Sequence, residues 1–106
     1  MQELLDIGEY MQSKENEIMD ILQEECAEVI QMVSKCRRFG IDNTHLKAGV
    51  SNRTRLTEEI GDLQAMIDLC IIFNLVNKED VDQASDDKIA KLKQWSNIFK
   101  GEENVA

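Results

Sequence analysis

Five carboxylates carry the chemistry this chain could do. Glu24, Glu25 and Glu28 form an EExxE run, and Glu59 and Asp62 form an ExxD run. Three-residue spacing projects both acids of a pair from one face of a helix. On a wheel at about 100° per residue, Ile18, Ile21, Leu22, Val29, Met32, Val33 and Cys36 draw an apolar arc, and Glu25 falls inside it between Met32 and Ile18. Glu28 lies at the edge of that arc beside Ile21, and Glu24 lies farther out. A second arc is drawn by Leu56, Ile60, Leu63, Met66, Ile67, Cys70 and Phe73. Glu59 sits well inside it, flanked by Met66 and Cys70, and Asp62 lies between Leu69 and Phe73.

Inward-pointing carboxylates cannot all stay ionised without compensation, because desolvating even one costs several kcal/mol. They must be protonated, paired with cations or bound to metal. Two acid pairs on facing helices suit all-oxygen coordination of Mg²⁺, with Mn²⁺ as a possible substitute. Softer metals find little here. His45 is the one histidine and falls in a loop, so there is no Glu-x-x-His pattern of a di-iron bundle. Cys26, Cys36 and Cys70 are odd in number and lack metal-ligand spacing or an obvious base partner. They read as reduced, mostly buried core thiols of a cytoplasmic protein.

The elements that must position these acids are helices. The chain contains no proline, and no segment sustains a period-two pattern rich in β-branched residues. A short amphipathic helix is expected over about residues 2–12 (1–14 with its flanks), with Leu4, Leu5, Ile7 and Met11 on its apolar side. Ser13 can cap a long helix from Glu15 to Phe39, with Gly40 as its stop. Residues 40–51 read as a loop, a second long helix runs from Asn52 or Thr54 to near Asn74, and Asn77 caps a third from Lys78 to Phe99. Residues 101–106 should fray. The expected fold is all-α: one domain over 1–106, an antiparallel helical bundle of three long helices and a short N-terminal one.

Bulk properties exclude some functions. The 106 residues suit one small domain. With 21 acidic against 12 basic residues the chain lacks the basic face that polymeric nucleic acid or an anionic membrane calls for. The acidic N-terminus has no signal-peptide character, and LCIIF, the longest strongly apolar stretch, is too short for a bilayer. Long helices with broad apolar arcs leave surface uncovered, so a homodimer or dimer-based homotetramer is expected to complete a four-helix-type core.

The EExxE run with LQEECAEVIQMVSKCRRFG around it, the ExxD run within NRTRLTEEIGDL and the late block DDKIAKLKQW resemble the MazG-like all-α nucleoside triphosphate pyrophosphohydrolases. The likeness covers roughly residues 15–96. One departure is the spacer of thirty residues between Glu28 and Glu59, slightly long for the family and assigned to the 40–51 loop. The resemblance implies that Glu25, Glu28, Glu59 and Asp62 ligate Mg²⁺ and that Glu24 helps position the attacking water. The reaction implied is hydrolysis at the α-phosphorus to nucleoside monophosphate and pyrophosphate.

Cations should meet the phosphates that such a metal leaves uncovered. Lys35, Arg37 and Arg38 close the first long helix, where they also complement its dipole. Arg53 and Arg55 open the second, where a cation is mildly unfavourable and a ligand role gains weight. Lys88 falls near the middle of an arc drawn by Val81, Ala84, Leu92, Trp95 and Phe99, with Lys91 at its border. The DDKIAKLKQW likeness also implies a lysine near the site. Lys35, Arg38, Arg53, Lys88 and Lys91 are therefore the expected phosphate contacts, while Trp95 is expected to pack in a core. Two other functions stay open: a base-selective enzyme of dUTPase or dCTPase type, and a non-enzymatic acidic binding protein that mimics DNA. A mimic needs its acids exposed and spread; here the motif acids point inward.

Overall fold

The computed structural model describes residues 7–44 and 49–102. Three helices follow one another: α1 (Ile7–Phe39), α2 (Asn52–Ile72) and α3 (Lys78–Trp95). The all-α expectation holds, and among the described residues there is no strand beyond an isolated Thr44–Ser51 bridge in the connecting loop. The chain divides into two compact units, Met1–Leu75 and Val76–Ala106.

One boundary differs at the start. Ser13 is interior to α1, not an N-cap, because the 33-residue helix runs through it. No glycine or proline interrupts residues 9–39. A break at Ser13 would orphan a turn of backbone groups in exchange for a cap worth about 1 kcal/mol. The separate N-terminal helix therefore merges into α1 from Ile7 onward, and its residues 1–6 lie outside the described ones.

The remaining ends follow local chemistry. Gly40 takes φ +96° and donates its N–H to Cys36 O at 2.9 Å, so α1 ends where a left-handed residue is available. Ser51 caps α2 by accepting from Thr54 N at 3.1 Å. At the other end Asn74 turns left-handed at φ 61°, Asn74 N–H donates to Ile71 O, and Leu75 N–H donates to Cys70 O. That is a Schellman closure, and it brings Leu75 back onto the core beside Cys70. Asn77 caps α3 through Asp80 N at 3.1 Å. α3 stops at Trp95, four residues before the expected Phe99, because Ser96 turns extended and its hydroxyl accepts from Ile98 N at 3.0 Å. Lys100 and Glu102 N–H close the following turns on Asn97 and Phe99. Residues 103–106 of the expected frayed tail lie outside the described ones.

Within the first unit α1 and α2 pair antiparallel: Cys36 meets Asn52 at the loop end, and Ile18 meets Met66 and Cys70 farther along. Ile21, Leu22, Leu69, Phe73 and Leu75 pack partly buried around that centre, and Met32 is buried nearer the loop. The loop is pinned by Asn52, 5% exposed, whose Nδ2 donates to Gly40 O at 2.9 Å and whose N–H donates to Asn43 O at 2.8 Å. The sequence gives no hint that an asparagine at a helix start would be among the least exposed residues.

The apolar arcs are wider than the contact they make. Met19, Cys26, Ile30 and Val33 are all exposed, Ile30 to 69%, and form a second stripe along α1. Cys26 is thus not a core thiol, since it lies on this outer stripe, whereas Cys70 is buried and Cys36 half-buried. On α2 the exposed Ile60 continues a stripe with half-buried Leu56, Leu63, Ile67 and Ile71. At about 100° per residue, both stripes are rotated in the same sense from Glu25 and Glu59. In facing antiparallel right-handed helices, equal rotations fall on the same side of the pair. The hairpin thus has one apolar side, and its opposite side carries Glu28 and Lys35 from α1 with Arg55 and Asp62 from α2.

In the second unit Val81, Ile89 and Leu92 are half-buried. Trp95 is 80% exposed, contrary to the packing expected of it, because the stop at residue 95 leaves it on the last turn of α3. Lys88 and Lys91 are exposed on the same helix. Among the described residues no helix is long and apolar enough to cross a membrane.

Candidate metal centre

The hairpin register brings the two acid motifs together. Sequence positions that sum to about the same value face each other, so the level of Cys36 and Asn52 leads, two to three turns on, to the level of Glu25, Glu28, Glu59 and Asp62. Glu25, Glu59 and Asp62 each present a carboxylate oxygen within 4.8 Å of the others. Glu28 adjoins them, close enough to Glu59 to act on its charge. Glu24 is exposed on the rim and close enough to Glu25 to act on its charge.

Burial and mutual repulsion shape this cluster electrostatically. Glu59 is half-buried, and its Oε2 is shielded from water with no hydrogen-bond partner among the described residues. Burial, then the charges of Glu28, Asp62 and Glu25, hold the Glu59 carboxyl above the ordinary glutamate range. Burial, followed by Asp62, Glu28 and Glu24, does the same to Glu25. An unpartnered buried acceptor is costly for a protein. An orphaned oxygen among all-oxygen donors of like charge fits a hard divalent cation of the Mg²⁺ or Mn²⁺ kind, which prefers such ligands.

The basic residues named from sequence lie in different settings. Arg53 donates from Nε to Asp42 Oδ1 at 2.9 Å in an exposed ion pair. That pairing, hydrogen bond first, holds the Asp42 carboxyl below its ordinary range. Arg38 is exposed and lies over the Phe39 ring at 5.0 Å. Lys35 is half-buried on the same side of the hairpin as Glu28. Lys88 and Lys91 belong to the second unit. Arg55 is half-buried on the face of α2 that carries Glu59 and Asp62. Its signal was the i, i+4, i+7 spacing of Arg55, Glu59 and Asp62. His45 lies outside the described residues.

No family model, curated protein or solved structure matches the chain.

Proposed function

We propose that this chain is a Mg²⁺-dependent hydrolase that cleaves nucleoside triphosphates at the α-phosphorus, giving nucleoside monophosphate and pyrophosphate. The observation that carries the reading is the Glu25–Glu59–Asp62 group, whose oxygens converge within 4.8 Å while Glu59 Oε2 is buried without a partner. The motif likeness to MazG-like enzymes supplies the reaction class. Glu25, Glu28, Glu59 and Asp62 would hold the metal. When bound, such an ion offsets the charge of triphosphate oxygens and lowers the pKa of a coordinated water.

The remaining work belongs to the chain's own side chains. Glu24, on the exposed rim one residue before Glu25, would orient the attacking water and accept its proton. Lys35, Arg38 and Arg53, in the same unit as the acids, are the cations that would counter the phosphate charge. Met32 and Met66, each seven residues along its helix from Glu25 or Glu59, are buried, and such apolar surroundings would strengthen charge interactions in the cluster.

A second copy of the chain belongs to the same proposal. Met19, Cys26, Ile30 and Val33 recur at i, i+7, i+11 and i+14, the spacing of a helix–helix seam. They share one side of the hairpin with Ile60 and its stripe, opposite Glu28 and Asp62. Two hairpins meeting on these sides would form a four-helix core, in a homodimer or dimer-based homotetramer, and leave both acid sites open.

The test is a panel of canonical and modified nucleoside triphosphates with Mg²⁺, scored for pyrophosphate against orthophosphate. Pyrophosphate with matching monophosphate is the expected product from at least one of them. Orthophosphate as the sole product, or no metal-dependent turnover of any, contradicts the assignment.

A further inference from the structure

Among the described residues of the first unit three cations are half-buried: Lys14, Lys35 and Arg55. Taking a cation out of water needs compensation. Lys14 has it, its Nζ lying 4.7 Å from the Tyr10 ring and 4.9 Å from the Phe73 ring. Arg55 does not; among the described residues no carboxylate pairs with it. Acids are abundant nearby. Glu59 lies one turn farther along α2, about 6 Å by helical rise, and Asp62 lies on the same face. Arg53, two residues before Arg55, does find its acid in Asp42. Arg55 therefore offers an unpaired guanidinium on the face of α2 that carries Glu59 and Asp62, on the polar side of the hairpin and toward the loop. Lys35 lies on the same side of α1, also half-buried and without an ion pair among the described residues.

From this we infer that Arg55 is a substrate-binding residue: its guanidinium takes the terminal phosphates of the triphosphate, and of the pyrophosphate product, where they extend from the acid cluster toward the loop. This rests on the hydrolase reading above. A planar fork of donors matches phosphate oxygens two at a time. The acid cluster holds the metal-bound end, Arg55 holds the end beyond it, and Lys35 adds charge from across the hairpin. An inward acid group alone would repel a triphosphate; a cation placed a turn away on the same face sets the direction in which the anion must lie.

Calorimetric titration of the full chain tests this with two ligands that undergo no turnover: Mg²⁺ alone, then inorganic pyrophosphate at saturating Mg²⁺. Arg55→Met keeps the stem, and Arg55→Lys keeps the charge without the fork. Arg37→Gln, a charge loss elsewhere on α1, is the control, and circular dichroism verifies that each variant is folded. Arg55→Met should weaken pyrophosphate binding at least about 10-fold, Arg55→Lys should fall between it and the parent, and Arg37→Gln should match the parent. Mg²⁺ binding alone should change less than about threefold in all three, since Arg55 carries no metal ligand. Equal pyrophosphate affinity in the parent and Arg55→Met overturns the inference, as does a parent that binds Mg²⁺ but no pyrophosphate. A parent that binds no Mg²⁺ overturns the hydrolase reading itself, and the role of Arg55 with it.

Discussion

Replacing Glu59 by glutamine should stabilise the protein without metal and destabilise it, relative to the parent, with metal. Glu59 Oε2 is buried and unpartnered, and the nearest oxygens belong to acids of like charge. An unsatisfied buried acceptor costs about 1–3 kcal/mol. Glu59 is only half-buried, so the lower end applies. Glutamine removes the charge and offers an amide donor to its acidic neighbours, recovering about 1 kcal/mol, which for a domain of this size raises Tm by roughly 4–8 °C. Magnesium reverses the order. At 100 times the parent's Kd it adds about 2.7 kcal/mol to the parent. A variant that binds about 100-fold more weakly gains only about 0.4 kcal/mol at that concentration. The parent should then be the more stable by about 1 kcal/mol. Thermal unfolding followed by circular dichroism, first in EDTA and then through a Mg²⁺ titration, should show the two melting curves exchange places. A Glu59→Gln protein that melts below the parent in EDTA, or a parent whose Tm ignores Mg²⁺, refutes the reasoning.

The other acids give graded outcomes. Glu25→Gln, Glu28→Gln and Asp62→Asn should each lower kcat/KM at least about 100-fold, whereas Glu24→Gln should lose rate with little change in Mg²⁺ affinity; steady-state kinetics over a Mg²⁺ series separates the two patterns. Glu25 and Glu59 titrate above the ordinary glutamate range, so the native state keeps protons that the unfolded chain has released. Their contribution to metal-free stability should therefore fall as pH rises from about 4.5 through their raised values. Mg²⁺ binding should release protons across the same window, read as a dependence of the binding enthalpy on buffer ionisation. Ile30→Glu and Ile60→Glu place charges on the exposed apolar side and should convert a parent dimer or tetramer to monomer in light scattering without unfolding it. A parent that is an active monomer at micromolar concentration contradicts the two-hairpin core.

What was legible in the sequence was helical periodicity and the chemistry that punctuates it. Asn77 and Gly40 act where their types predict, because a cap depends on a few neighbouring backbone groups. Glu25 and Glu59 were legible for the same reason: their angle among apolar neighbours places them inward whatever else the chain does. Ser13 misled because a good cap residue is also tolerable in mid-helix when no glycine or proline follows. The wheel also could not say where an apolar arc ends and a second face begins. Val33 and Ile60 belong to arcs on paper, yet they lie outside the contact that α1 and α2 make. The setting of Arg55 needed the register of one helix against the other, which the loop decides through Asn52 and Gly40.

Attack by water at the α-phosphorus leaves its mark in where solvent oxygen ends up, which isotopic labelling reads. Turnover of a triphosphate substrate from the panel in H₂¹⁸O with Mg²⁺ should place the label in the nucleoside monophosphate and leave the released pyrophosphate unlabelled. Label in pyrophosphate would mean attack at the β-phosphorus, and label in released orthophosphate attack at the γ-phosphorus; either result contradicts the account.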